Sequence, residues 1–109
     1  MSIHYTDTDV LEGGTLVLTI NFYDDADTAV TPNEVSYTMR KVDTGEVVNS
    51  IEDTAVDAGD LDTSIDLVFS GDDLPAGKLR LYVSGTYDST SGNDLPFRDI
   101  IEFPVREFK

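Results

Sequence analysis

Apolar and polar residues alternate with a period of two in block after block of this chain, and no block shows the three-and-four spacing of an amphipathic helix. A half-buried strand is the element that such alternation satisfies, because successive side chains of a strand point to opposite faces. The clearest block is Thr15 to Tyr23, where Leu16, Leu18, Ile20 and Phe22 share one face and Thr15, Val17, Thr19 and Asn21 the other. Val35 to Val42 follows the same rule, with Val35, Tyr37 and Met39 set against Ser36, Thr38 and Arg40.

The block ending at Val42 runs into Asp43-Thr44-Gly45-Glu46, a short polar connection containing Gly. That is a hairpin signal, and it predicts that Glu46 to Ile51 returns as the partner strand. Glu52 to Leu61, acidic and rich in small residues, reads as an irregular edge or loop. Thr63 to Ser70 resumes the alternation with Ile65, Leu67 and Phe69 inward, and Gly71 to Gly77 has the Gly and Pro punctuation of a tight corner. Lys78 to Tyr87 then places Leu79, Leu81 and Val83 inward. A polar loop, Asp88 to Asp94, separates it from a last strand over Arg98 to Glu107, with Ile101, Phe103 and Val105 inward. Pro104 cannot donate a ladder hydrogen bond, so an edge or a bulge is expected there.

With a short strand near Ile3 or Val10, the count is six or seven strands in 109 residues, which suits a single two-sheet antiparallel sandwich spanning residues 1–109. A short flexible N-terminal segment over about residues 1–9 is expected to precede the packed part. A small closed barrel is the other architecture that short strands in this number can form. A parallel α/β sheet is excluded, because no crossover helix is available.

Cysteine and tryptophan are absent, so packing and ladder hydrogen bonds must carry the stability, with no disulfide framework and no thiolate metal site. No run approaches the length of a membrane helix, and Met1 to Tyr5 lacks the charged start and apolar run of a secretory signal, so a soluble, unprocessed chain is expected, without a membrane partner. With a formal net charge of −15, from 22 acidic and 7 basic residues, the chain is expected to repel a nucleic acid and to have no basic stripe that would release its counterions. Sixteen of the acids are Asp, most of them in segments read as loops or solvent-facing strand positions, where Asp serves turn chemistry and solvation.

Catalysis finds little material here. A nucleophilic triad needs a base, and the one histidine is His4, in the N-terminal segment. A glycosidase-type carboxylate pair needs a cleft and aromatic platforms, and there is no Trp to stack a sugar. Gly13-Gly14 lacks the Lys and helix of a phosphate loop and reads as a bend. The chain is therefore expected to be no enzyme and to need no cofactor.

Calcium is the more serious ligand, since it takes six to eight oxygens that loops from different strand ends can supply. The candidates are Asp24, Asp25 and Asp27, then Asp57, Asp60 and Asp62, and Asp72 with Asp73 at the corner; none reproduces the twelve-residue calcium loop. No metal site is expected, with those Asp residues as the places to look. For contacts with other proteins the candidates are the aromatics Tyr5, Tyr82, Tyr87, Phe97 and Phe108, since aromatic residues are enriched at interfaces.

The succession EGGTLVLTINFYDDADTAVTP, VSYTMRKVDTGEVV, DLPAGKLRLYVSGTYD and FRDIIEFPV resembles the small immunoglobulin-like accessory proteins of tailed-bacteriophage virions, over roughly residues 12–105. The resemblance implies an immunoglobulin-like antiparallel β-sandwich of about seven strands. It also implies a structural role on the virion: decorating a capsid, completing a head-to-tail joint, or serving as a tail component. The implied partners are shell or tail proteins, or further copies of the chain. No catalytic or ligand motif transfers with it. The alternative expectation is a calcium-stabilised recognition or adhesion module, extracellular or at the cell surface.

Overall fold

The computed structural model describes residues 1–6 and 8–109. Eight strand segments follow one another along the chain: β1 (Ser2–Tyr5), β2 (Val10–Leu11), β3 (Thr15–Tyr23), β4 (Glu34–Lys41), β5 (Thr54–Ala55), β6 (Ser64–Ser70), β7 (Gly77–Ser89) and β8 (Gly92–Arg106). Single 3₁₀ turns at Ala58–Asp60 and Gly71–Asp73 flank β6. Among the described residues there is no α-helix, and so none long and apolar enough to cross a membrane.

The strands form two sheets. One has the order β1-β3-β6 and the other β2-β8-β7-β4-β5, and no strand belongs to both, so the sheets do not close into a barrel. All neighbours are antiparallel except β2 and β8, which run parallel at Val10↔Val105 and Leu11↔Arg106. One apolar core lies between the sheets. Leu16, Leu18, Ile20 and Phe22 of β3 and Ile65, Leu67 and Phe69 of β6 meet Val35 and Met39 of β4, Leu79, Leu81 and Val83 of β7, and Ile101, Phe103 and Val105 of β8. The inward sets expected from the alternation are thus the buried ones, with Tyr37 half-buried and set edge-on to the Phe69 ring at 5.9 Å. A one-residue slip in any of these strands would carry its whole apolar set to the solvent face, so the pattern fixes the register.

Three expectations are corrected. Glu46 to Ile51 does not return as a strand: it makes one bridge, Arg40↔Val47, and Thr54–Ala55 supplies the partner of β4 instead. Asn49 and Ser50 take positive φ (46° and 61°), which breaks the extended conformation, and Asn49 is tied by its amide to Asp73 at 2.7 Å. Asp88 to Asp94 is not a long loop. β7 and β8 continue through it to a two-residue tip at Thr90–Ser91, with a register shift between Tyr87 and Ser89. The polar side chains that suggested a loop satisfy each other: Asp88 accepts hydrogen bonds from the Asn33 amide (2.9 Å) and the Asp94 backbone N–H (2.8 Å).

The segment over about residues 1–9, expected to be flexible, holds one strand, β1, and β2 begins just after it at Val10. Ser2–Tyr5 pairs with Tyr23–Ile20, because Ile3 sits opposite Phe22 and packs against the core. At Pro104 no register shift interrupts the β7 pairing, and strand pairing on the outer side of β8 is confined to Val105 and Arg106. The strand tolerates proline there as an edge.

Candidate docking surfaces

The five contact candidates divide between core and surface. Tyr87 and Phe97, expected at the surface, are 5% and 6% exposed and belong to the core. They continue the inward odd-numbered series of β7 and β8, and their rings form an edge-to-face chain with Phe22, at 5.9 Å for Phe22–Phe97 and 6.4 Å for Tyr87–Phe97. The alternation of Leu79, Leu81 and Val83 in β7 and of Ile101, Phe103 and Val105 in β8 carries that signal. Tyr5 is 48% exposed on the edge strand β1. Phe108 lies beyond the end of β8, 72% exposed, its backbone N–H donating to the Glu12 carboxylate at 2.8 Å.

Tyr82 stands in the middle of the outer face of the five-stranded sheet. Its cross-strand neighbours are Thr38 on β4 and Ile100 on β8, and Ile100 is 51% exposed. The adjoining rows are Arg40–Arg80–Glu102 on one side and Ser36–Ser84–Arg98 on the other. Lys78 and Arg106 lie further along the same face. Five of the seven basic residues of the chain, Arg40, Lys78, Arg80, Arg98 and Arg106, therefore share one sheet face with Glu34 and Glu102, and Asp9, Glu52, Asp53 and Asp99 lie at its margins. A groove of 390 Å³ runs over this face, lined among others by Thr38, Tyr82, Arg98 and Ile100, with Asp53 and Asp99 at its margin.

Alternation in the sequence puts Arg40 and Arg80 outward. That they lie directly opposite each other depends on strand order, which local pattern does not encode. Like charges facing across a ladder cost stability. Glu102 stands 3.6 Å from Arg80 and Glu52 4.0 Å from Arg40, and such exposed pairs contribute little. Arg106 pairs with Asp9 at 3.0 Å. Arg98 and Lys78 have no ion pair among the described residues.

Four of the eight calcium candidates, Asp24, Asp25, Asp62 and Asp73, have carboxylates engaged in hydrogen bonds. The Asp24 carboxylate accepts the backbone N–H groups of Ala26 and Thr28, both at 2.9 Å, and Asp27 takes a left-handed φ of 59°. Asp25 accepts the Ser91 hydroxyl at the tip of the β7–β8 hairpin; the Ser91 and Ser89 hydroxyls hold its carboxyl below the usual carboxylate range. Asp62 accepts the N–H of Thr63 at 2.7 Å. At the corner, Asp73 accepts the Ser70 N–H and the Asn49 amide. Asp57 and Asp60 border a groove of 520 Å³ beside β6. Among the described residues no group of three or more His, Asp or Glu side chains is gathered to hold a metal ion.

Comparison with models of protein families, with curated proteins and with solved structures gives no match.

His4 lies on the outer face of the three-stranded sheet, its ring edge-on to Tyr23 at 5.0 Å. Gly13-Gly14 forms a bend in which the Gly13 N–H donates to the Leu74 carbonyl and the Gly14 N–H to the Leu11 carbonyl. Tyr37 titrates above the usual tyrosine range, because burial between the sheets, and then the charge of Asp73, disfavour the phenolate.

Proposed function

We propose that this chain is an immunoglobulin-like sandwich acting as a non-enzymatic docking domain, specifically a tailed-phage virion accessory protein that seats on a repeating shell or tail assembly. The strand order supports the fold: β1-β3-β6 corresponds to strands A, B and E of an immunoglobulin-like domain, and β8-β7-β4 to G, F and C. The short β2 beside β8 and β5 beside β4 extend that second sheet. The resemblance of the strand-and-turn succession over residues 12–105 supports the virion role.

The observation that carries a docking role is the polarisation of charge. A chain of net charge −15 places five of its seven cations on one sheet face around Tyr82 and Ile100, and sets Arg40 directly opposite Arg80. Folding gains nothing from that juxtaposition. An acidic partner surface would gain from it, with Tyr82 and Ile100 as the apolar centre and the cations as its rim. The acidic remainder keeps free copies apart until they meet the assembly.

Co-sedimentation of the purified chain with shells and with tails of the phage that encodes it tests this reading. Binding to one of them is expected, weakened by added salt and abolished in Arg80→Glu/Arg98→Glu at an unchanged melting temperature. Absence of binding to both, or binding indifferent to the double reversal, would overturn it.

A further inference from the structure

The two sheets have four free margins, and three are guarded. β1 is four residues long and β5 two, too short to template a strand. β8 is long, but it carries Pro96 and Pro104 and is covered by β2 at Val105 and Arg106. Prolines and covering segments are among the devices by which edge strands avoid adding further strands.

β6 has none of these. It pairs with β3 through seven residues, Ser64 to Ser70, without a bulge or a proline. Among the described residues no backbone group of 64–70 bonds to backbone outside that pairing, and the Ser70 N–H is taken by Asp73. In an antiparallel ladder the peptide groups point alternately to either side, so about half of those of β6 face away from β3 toward open space. The segment that leaves β5 crosses in a 3₁₀ turn at Ala58–Asp60 and leaves the groove of 520 Å³ along this edge, lined by Tyr37, Val56, Asp57, Asp60, Ile65 and Leu67 among others. Immunoglobulin constant-type domains place a fourth strand, D, in the sheet where three stand here.

We infer that the free edge of β6 accepts an extended segment of another protein as a fourth strand of the β1-β3-β6 sheet. Charge selects the occupant. Asp57, Asp60 and Asp66 line the groove and no Lys or Arg does, so the incoming strand alternates apolar side chains, toward Tyr37 and Val56, with basic ones toward the acids. A second copy pairing β6 to β6 would bring two such acidic sets together, which like-charge repulsion disfavours. This surface is separate from the cation-bearing face and does not depend on the virion reading.

The test is a nuclear magnetic resonance titration of the ¹⁵N-labelled chain with a synthetic peptide of alternating lysine and valine, beside the same peptide with glutamate for lysine. The lysine peptide is expected to shift the amides of residues 64–70 and slow their hydrogen exchange, and the glutamate peptide to do neither. Asp66→Lys/Val68→Lys, with both changes at exposed positions, is expected to keep the melting temperature within a few degrees and to weaken the lysine peptide by roughly tenfold or more, since a lysine-bearing edge blocks strand addition. Equal response to both peptides, shifts without slowed exchange at 64–70, no response, or undiminished binding by the folded double variant would each overturn the inference.

Discussion

Gly85 and Phe97 face each other across the β7–β8 ladder, and the Phe97 ring occupies the space that a side chain at position 85 would need. A Cβ there would come within 2.9 Å of the ring and collide with the backbone carbonyl oxygen of Glu34. Gly85 thus interrupts the inward series Leu79, Leu81, Val83, Tyr87 so that Phe97 can pack between Phe22 and Tyr87. Gly85→Ala is expected to destabilise the fold by about 1–3 kcal/mol, the range for overpacking a filled core. At about 4–8 °C per kcal/mol for a chain of this size, thermal unfolding followed by circular dichroism reads the change directly. An unchanged transition would contradict the close approach of Glu34 and Phe97 to position 85.

The two faces of β8 make a second prediction. Phe103 is fully buried and Ile100 half exposed, three residues apart and on opposite faces of the same strand. Phe103→Ala removes a ring from a packed core and is expected to cost about 3–5 kcal/mol. Ile100→Ala is expected to stay within about 0.5 kcal/mol, as surface substitutions do, while weakening partner binding if the outer face is the docking face. Chemical denaturation of the two variants separates the cases; similar losses would contradict the register of β8.

The contrast shows what alternation encodes and what it omits. Leu16, Leu18, Ile20 and Phe22 announce their strand and its buried face, because a period of two leaves no other element able to bury them together. The same parity puts Tyr87 and Phe97 inside, which the general enrichment of aromatic residues at interfaces obscured. Glu46 to Ile51 looked like a strand, but Asn49 and Ser50 are left-handed there and the Asn49 amide is bonded to the distant Asp73, a contact that local pattern does not show. The cation-bearing face was less legible still. Arg40, Arg80 and Arg98 come from three strands far apart in sequence, and only strand order makes them neighbours.

Asp88 couples the β7–β8 hairpin to pH. The backbone N–H of Asp94, and then the Asn33 amide, donate to its carboxylate and hold it below the usual carboxylate range. A carboxyl group with a folded pKa below its unfolded one contributes stability that is present above the unfolded value and is lost as pH falls through the folded one. The hairpin end is therefore expected to loosen only below the unfolded value of about 3.9. Carbon-detected titration should give Asp88 a midpoint below that of an Asp in an unstructured peptide, and Asp88→Asn should flatten the acid dependence of the Asp94 amide shift. A midpoint at or above the peptide value would remove this account.

Calcium separates the docking reading from that of an extracellular recognition module. An ion that binds only the folded state raises its stability in proportion to the logarithm of concentration over dissociation constant, so at a hundredfold excess the gain is about 2.7 kcal/mol. That gain requires several carboxylates converging on one point. Here Asp24 is occupied by the N–H groups of Ala26 and Thr28, Asp25 by Ser91 and Asp62 by Thr63, and Asp57 and Asp60 border a wide groove. Engaging the ion would mean giving up those turn bonds and drawing the loops together against their own repulsion. Millimolar calcium is accordingly expected to shift the melting temperature no more than magnesium at equal ionic strength, through screening of the net charge of −15 alone. A calcium-selective rise, removed by Asp24→Asn/Asp27→Asn or by Asp57→Asn/Asp60→Asn, would instead identify a loop that closes around the ion and favour the recognition module.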